Sequence, residues 1–212
     1  KLIIMTTILK ILIIIFLYIS FCKSSLTNQL TLTDTLPKNM PILKKIIWGN
    51  NGVFRKSFIN PENRMKELKI RRNMLQLHQR LALLTMGTLA YQYHTGNEMV
   101  NNPQKYNELK NLHMKLGYIS FTTYMGAAGL SIFAPPGMKY TKKKITSNKI
   151  HRYLAVIHFS GMAIQPWLGY QTSVAGIEGR SDDREKLLKI HETVGGITLT
   201  SYFLAFLTTL FK

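Results

Sequence analysis

Residues 150–155 read Ile150-His151-Arg152-Tyr153-Leu154-Ala155, and the same short phrase returns three more times. The other copies are Leu77-His78-Gln79-Arg80-Leu81-Ala82, Leu112-His113-Met114-Lys115-Leu116-Gly117 and Ile190-His191-Glu192-Thr193-Val194-Gly195. Each runs aliphatic residue, histidine, two variable residues, aliphatic residue, then alanine or glycine. Each also opens an apolar block, at residues 76–93, 113–134, 151–170 and 190–211. Internal repetition of this kind reports on architecture before any single residue does. On a helix, positions i and i+4 share a face, so every block presents a histidine and, one turn further on, a small residue.

Working outward from the repeat, the blocks approach the roughly 20 apolar residues that cross a bilayer core. The charges fall in the connections, so a mean hydropathy of +0.00 hides a sharp segregation. Short connections make successive helices antiparallel. The expected fold is all-α: a transmembrane up-down four-helix bundle over 76–212, which makes the chain a multi-pass integral membrane protein. Ahead of it, residues 2–21 are apolar apart from Lys10, which reads 1–22 as either a signal peptide or an N-terminal anchor helix. Residues 23–75 form a polar, partly irregular arm, with Pro37, Pro41 and Pro61 and a turn at Asn50-Asn51-Gly52. Within it, 42–58 interleaves Trp48, Phe54 and Phe58 with Lys44, Lys45, Arg55 and Lys56. That pattern fits an interfacial helix or a segment packed on the bundle. From Pro61 a helical run leads into the first block.

Lys and Arg total 28 against 10 Asp and Glu, a net charge of +18. The cations stand beside the apolar blocks, as in Lys66, Lys69, Arg71 and Arg72 and again Lys139, Lys142, Lys143, Lys144 and Lys149. This placement suits anionic lipid headgroups, and no groove-reading motif accompanies it, so nucleic acid is not an expected partner. Positive-inside reasoning puts the 135–150 connection and the segment before His78 on the cytoplasmic side or its equivalent. A signal peptide, or an anchor with its N-terminus inside, would put residues 23–75 on the other side. The two readings leave sidedness open. The single cysteine, Cys22, excludes an internal disulfide, the attachment motif of c-type haem and a Cys-ligated iron–sulfur cluster.

The repeat also carries chemistry. A histidine reaching sideways to an iron brings a flat macrocycle against its own helix, and Ala82, Gly117, Ala155 or Gly195 one turn on removes the side chain that would collide with it. The same small residues would equally serve close helix packing. Antiparallel helices place His78 and His151 near one membrane face and His113 and His191 near the other. The expectation is two sites, each holding haem b between two axial histidines, an arrangement that favours electron transfer because no axial position stays open. Arg80, Lys115 and Arg152 follow a histidine by one or two residues, where they would meet a haem propionate or a lipid phosphate. His158, seven residues after His151, and Gln165, seven further, extend a polar stripe toward the bundle interior. That stripe would touch a cofactor edge, water or a neighbouring helix. His94, beside Gly96, reads as a solvated cap at the end of the first core helix.

With these residues in hand, the chain resembles the cytochrome b561 superfamily. The segment His151 to Gln171, HRYLAVIHFSGMAIQPWLGYQ, is similar to that family's third core helix. It shares the His-Arg-aromatic-Leu start and the Gln165-Pro166-Trp167-Leu168-Gly169 end. His191-Glu-Thr-Val-Gly195 and His113-Met-Lys-Leu-Gly117 are similar to the family's helix openings. The resemblance covers 76–211 and implies two b haems, His78 pairing with His151 and His113 with His191. It departs from the family in offering four core spans where six are common, and in carrying alanine at 82 and 155. Ascorbate oxidation and ferric reduction are activities the resemblance brings to mind, but no donor domain or substrate site stands in the sequence, so electron donor and acceptor stay unassigned. The alternative is a structural or accessory subunit of a larger membrane complex, with haem reduced in number or absent. Metal-ion transport ranks last, since Glu192 is essentially the only acidic residue in the apolar blocks.

Overall fold

A computed structural model describes residues 36–37, 39–57, 64–138 and 145–210. The apolar segment 1–22 with Cys22, and also Phe58, Pro61, Lys139 and Lys142 to Lys144, lie outside the described residues. Every described element is helical, which establishes the all-α class. Two short helices, α1 (Ile42–Trp48) and α2 (Val53–Ser57), precede four long ones: α3 (Arg64–Asn101), α4 (Tyr106–Phe133), α5 (Ser147–Ile177) and α6 (Ser181–Leu210).

The helix ends follow local chemistry. Asn102 ends α3, and Pro103 opens the 3-10 turn Pro103–Lys105, a position where its missing N–H costs nothing. Thr146 caps α5, its hydroxyl accepting from the Lys149 N–H at 3.3 Å. Between α5 and α6 the chain reverses on Gly179, whose φ of +73° suits glycine. Arg180 N–H donates to Ala175 O at 2.9 Å and Gly179 N–H to Gly176 O at 3.4 Å. These two bonds make a Schellman closure. One expectation fails here. His94 is not a helix cap, because α3 continues to Asn101. Gly96 is there for close packing, as its neighbour shows below. His78 lies well inside α3, as expected of a helical run that leads into the first apolar block.

The chain divides into two compact units, Lys1–Leu84 with Thr123–Lys142 and Thr85–Thr122 with Lys143–Lys212. In the first, the arm is fastened to the C-terminal end of α4. Lys44 Nζ donates to the carbonyls of Ser131 (3.0 Å), Ile132 (2.8 Å) and Ala134, which supplies the cation that a helix C-terminus favours. Burial, together with the Arg71 guanidinium, pushes the Lys44 ammonium down to about 8; the three carbonyl oxygens are what hold its charge. Trp48 Nε1 donates to Phe133 O at 2.9 Å, and its ring stands edge-on to Phe54 at 5.7 Å. Phe54 in turn packs on Phe133. Arg71 donates to Pro135 O at 2.6 Å and Arg64 to Pro136 O at 2.7 Å. Of the two readings of segment 42–58, Trp48 and Phe54 follow the packed one, while Ile42, Leu43, Ile46 and Val53 remain exposed.

In the second unit, α5 and α6 run as a close antiparallel pair. Gly161 permits the approach, since a methyl there would collide with the Thr198 hydroxyl. Gly161→Ala is therefore expected to force the helices apart and cost about 1–3 kcal/mol, read as a lower thermal midpoint of the detergent-solubilised protein.

Several polar side chains are buried while many large apolar ones are exposed. Thr85, Thr95, Ser120, His158, Thr198 and Ser201 are buried, while Tyr118, Val156, Trp167, Tyr170 and Ile177 are exposed. Water-soluble domains keep their aliphatic residues inside and their hydroxyls outside. The helix Ser181–Leu210 is long and apolar enough to cross a membrane, and only 22% of its apolar window is buried. Among the described residues it is the one helix that meets both criteria, so membrane association is the coarse reading supported and the expected four-span, multi-pass arrangement is not shown.

Candidate functional site

Two of the four repeat histidines meet inside the second unit. His113 of α4 and His191 of α6 stand with ring centres 6.3 Å apart and ring planes turned by 68°. Both are half-buried. His113 Nδ1 lies 3.0 Å from Gln92 O and 3.2 Å from Thr95 Oγ1. Thr95 spends its own proton on Gln92 O, so it faces His113 as an acceptor. The same habit recurs at the other histidines. His78 Nδ1 is 2.8 Å from Ala127 O in the first unit, and His151 Nδ1 is 2.9 Å from Ala205 O in the second. A carbonyl only accepts, so each of these three imidazoles, when neutral, carries its proton on Nδ1 and its lone pair on Nε2. Metal-ligating histidines are held in this way, with the second nitrogen donating to backbone.

His191 is the exception. Its Nδ1 is buried without a hydrogen-bond partner, and so is Oε1 of Gln165. Gln165 Nε2 donates instead to the His191 backbone carbonyl at 2.8 Å. Such orphans cost about 1–3 kcal/mol each when left unpaired.

The small residues play roles that the short repeat did not disclose. Gly117 and Gly195 face glutamine amides. A Cβ at either would lie 2.9 Å from Gln92 Nε2 or 2.8 Å from Gln165 Nε2. The glycines that face imidazoles are Gly96 and Gly169, where a Cβ would lie 3.0 Å from His113 Cε1 or 3.3 Å from His191 Cε1. These contacts reveal a longer repeat, in which one helical hairpin matches the next. His78 and His151 are each followed fourteen residues later by Gln92 and Gln165, then after four more by Gly96 and Gly169. On the returning helices, His113 and His191 are each followed after four residues by Gly117 and Gly195, and fourteen after the histidine by Ala127 and Ala205. The glycine contacts and the bonds from His78 to Ala127 O and from His151 to Ala205 O match between hairpins, whereas the His113–Gln92 bond has no counterpart at His191. Tyr124 and Tyr202, eleven residues after those histidines, are both buried.

The remaining expected residues are placed as follows. Ala82 and Ala155 are partly buried. Arg80, Lys115 and Arg152 are exposed and enter no ion pair among the described residues. His158 is buried, as the interior stripe requires, and stands edge-on to Tyr202 at 4.9 Å. The Tyr202 hydroxyl is hydrogen-bonded to Thr85. His94 is exposed and stacks on Tyr91.

Two imidazoles on opposite faces of one metal need a definite spacing. A metal–nitrogen bond of about 2.0 Å on each side, with each ring centre about 1.1 Å behind its nitrogen, separates the centres by about 6 Å. The His113–His191 spacing fits this, and a Gly on each facing helix clears the rings. Among the described residues no three His, Cys, Asp or Glu side chains gather as a metal cage. A haem needs only two protein ligands, the macrocycle supplying the others. No protein-family model, curated protein or solved structure matches this chain.

Proposed function

We propose that the chain is a membrane-embedded, up-down four-helix protein that holds two b haems between paired histidines and passes electrons across the bilayer, in the manner of the cytochrome b561 superfamily. The observation that carries this reading is the 6.3 Å approach of His113 and His191, with the Nδ1 of His113 anchored to backbone so that Nε2 faces away from its own support. The hairpin repeat extends the proposal to His78 and His151 on sequence position alone. In each hairpin, equivalent positions supply equivalent ligands. The exposed aliphatic and aromatic side chains of all four long helices support burial in lipid.

Within this reading the protein's residues position rather than react. Gln92 O and Thr95 Oγ1 fix the plane of the His113 ring. Gly96 and Gly169 let the helices bring the imidazoles inward. Haem, once bound, would supply one-electron chemistry, with His113 and His191 as the residues that would hold it. Donor and acceptor are unassigned. The test is a pyridine haemochrome stoichiometry on protein purified after haem-replete expression: two b haems per chain are expected. A colourless protein would instead favour a structural subunit.

A further inference from the structure

An open cleft lies outward of the His113–His191 pair. Two adjoining hollows of about 480 and 270 Å³ share Gly176 and Arg184, and Tyr106, Lys110 and Ser173 line the smaller one. Tyr106 and Arg184 each precede a site histidine by seven residues, which puts them on the same helix face about 10 Å nearer the helix start. Lys110 precedes His113 by three.

Three features show that the cleft is built around positive charge. Gly176 leaves room for Arg184 beside it, since a Cβ there would lie 3.1 Å from Arg184 Cδ and 3.2 Å from Nε. Lys110 Nζ and Arg184 Cζ both approach the Tyr106 ring, at 5.8 and 6.0 Å from its centre, so one aromatic ring gathers two cations. Neither cation has a carboxylate partner among the described residues, although acids are close by in sequence. Arg180 takes Glu178 and Asp183, each at 2.7 Å, and Lys105 takes Glu98 at 3.0 Å. Glu185 lines the larger hollow but pairs with neither. Two half-buried cations converging on one hollow without a counter-ion repel each other, and an anion relieves the repulsion. A planar guanidinium beside an ammonium suits a carboxylate.

We propose that Lys110, Arg184 and Tyr106 form a carboxylate-binding site at the mouth of the His113–His191 pair. The occupant is either a propionate of the haem held by that pair, which rests on the reading above, or a free carboxylate.

The test uses the full-length protein with Lys110→Gln and Arg184→Gln, and Arg184→Lys as the charge-conserving control. Two measurements are made, a potentiometric titration of the haem spectrum and a calorimetric titration with succinate. A propionate occupant predicts that each charge-removing variant disfavours reduction of one haem about tenfold (59 mV for one electron), with Arg184→Lys restoring part of the shift and no succinate binding. A free-carboxylate occupant predicts succinate binding to wild type, weakened about tenfold in either Gln variant, with unchanged potentials. Unchanged potentials without succinate binding overturn the proposal. Wild-type protein lacking a b-type spectrum removes the haem reading by itself. The succinate titration then decides the site alone, with binding lost in the Gln variants supporting it and absence of binding overturning it.

Discussion

Replacing His113 with alanine is expected to remove one of two haems from each chain and leave the other in place. Breaking a second-shell hydrogen bond to a ligating histidine typically lowers metal affinity about 10–100-fold, and removing the ligand itself costs more. His191, whose Nδ1 has no support of its own, is poorly placed to hold the macrocycle alone. His191→Ala should give the same loss, and the double variant should be no worse than either single one, because both histidines serve one site. The pyridine haemochrome of purified protein reads the result directly, falling from two haems to one. Full haem content in His113→Ala would disconnect the 6.3 Å pair from ligation. Loss of both haems with intact folding would mean that the two sites do not load independently. His94→Ala serves as the control. Exposed and stacked only on Tyr91, it should leave the haem content unchanged.

Much of this site was legible because histidine is rare in the chain and falls in register. Six histidines, four in one six-residue pattern, isolate the pair that the fold brings together. The helices were legible from their apolar blocks, although all four long helices begin ahead of those blocks in polar turns. The rest of the hairpin repeat was missed for a physical reason. Glutamine, glycine and alanine are ordinary residues, and their signal lies in a fourteen-residue spacing that shows only when whole hairpins are aligned. Comparing helix with helix sets α3 against α4, where the roles differ. Gly96 was misread because a glycine near a polar segment looks like a helix stop. Only the approach of the His113 ring shows that it clears space across a helix pair. That the arm packs was one of two readings open in the sequence, but where it docks could not be read, since Lys44 and Ser131 are 87 residues apart and a lysine carries no mark of the carbonyls it will cap.

The arm supplies the other large effect. Glu67 is fully buried, with Arg55 at 2.8 Å on one oxygen and Arg64 on the other. Arg64 also donates to Pro136 O and Gly137 O, so this one carboxylate joins α2, the start of α3 and the chain beyond α4. Glu67→Gln keeps the volume and removes the charge, leaving two buried guanidinium groups facing a neutral amide. Taking one partner from a buried ion pair costs about 3–5 kcal/mol, a large share of the roughly 5–15 kcal/mol that stabilises a typical domain. Here the cost falls on a local contact, so the expected result is release of the arm rather than global unfolding. At 1.4 kcal/mol per tenfold step, protection of residues 42–57 from limited proteolysis should fall at least about a hundredfold. Trp48, only 3% exposed, should shift its emission to the red. The His113–His191 pair shares no residue with this cluster, so its share of the haem spectrum should persist in the same variant. An arm that stays protected in Glu67→Gln would assign its docking to Lys44 and Trp48 at the end of α4, and would make the ion cluster incidental to it.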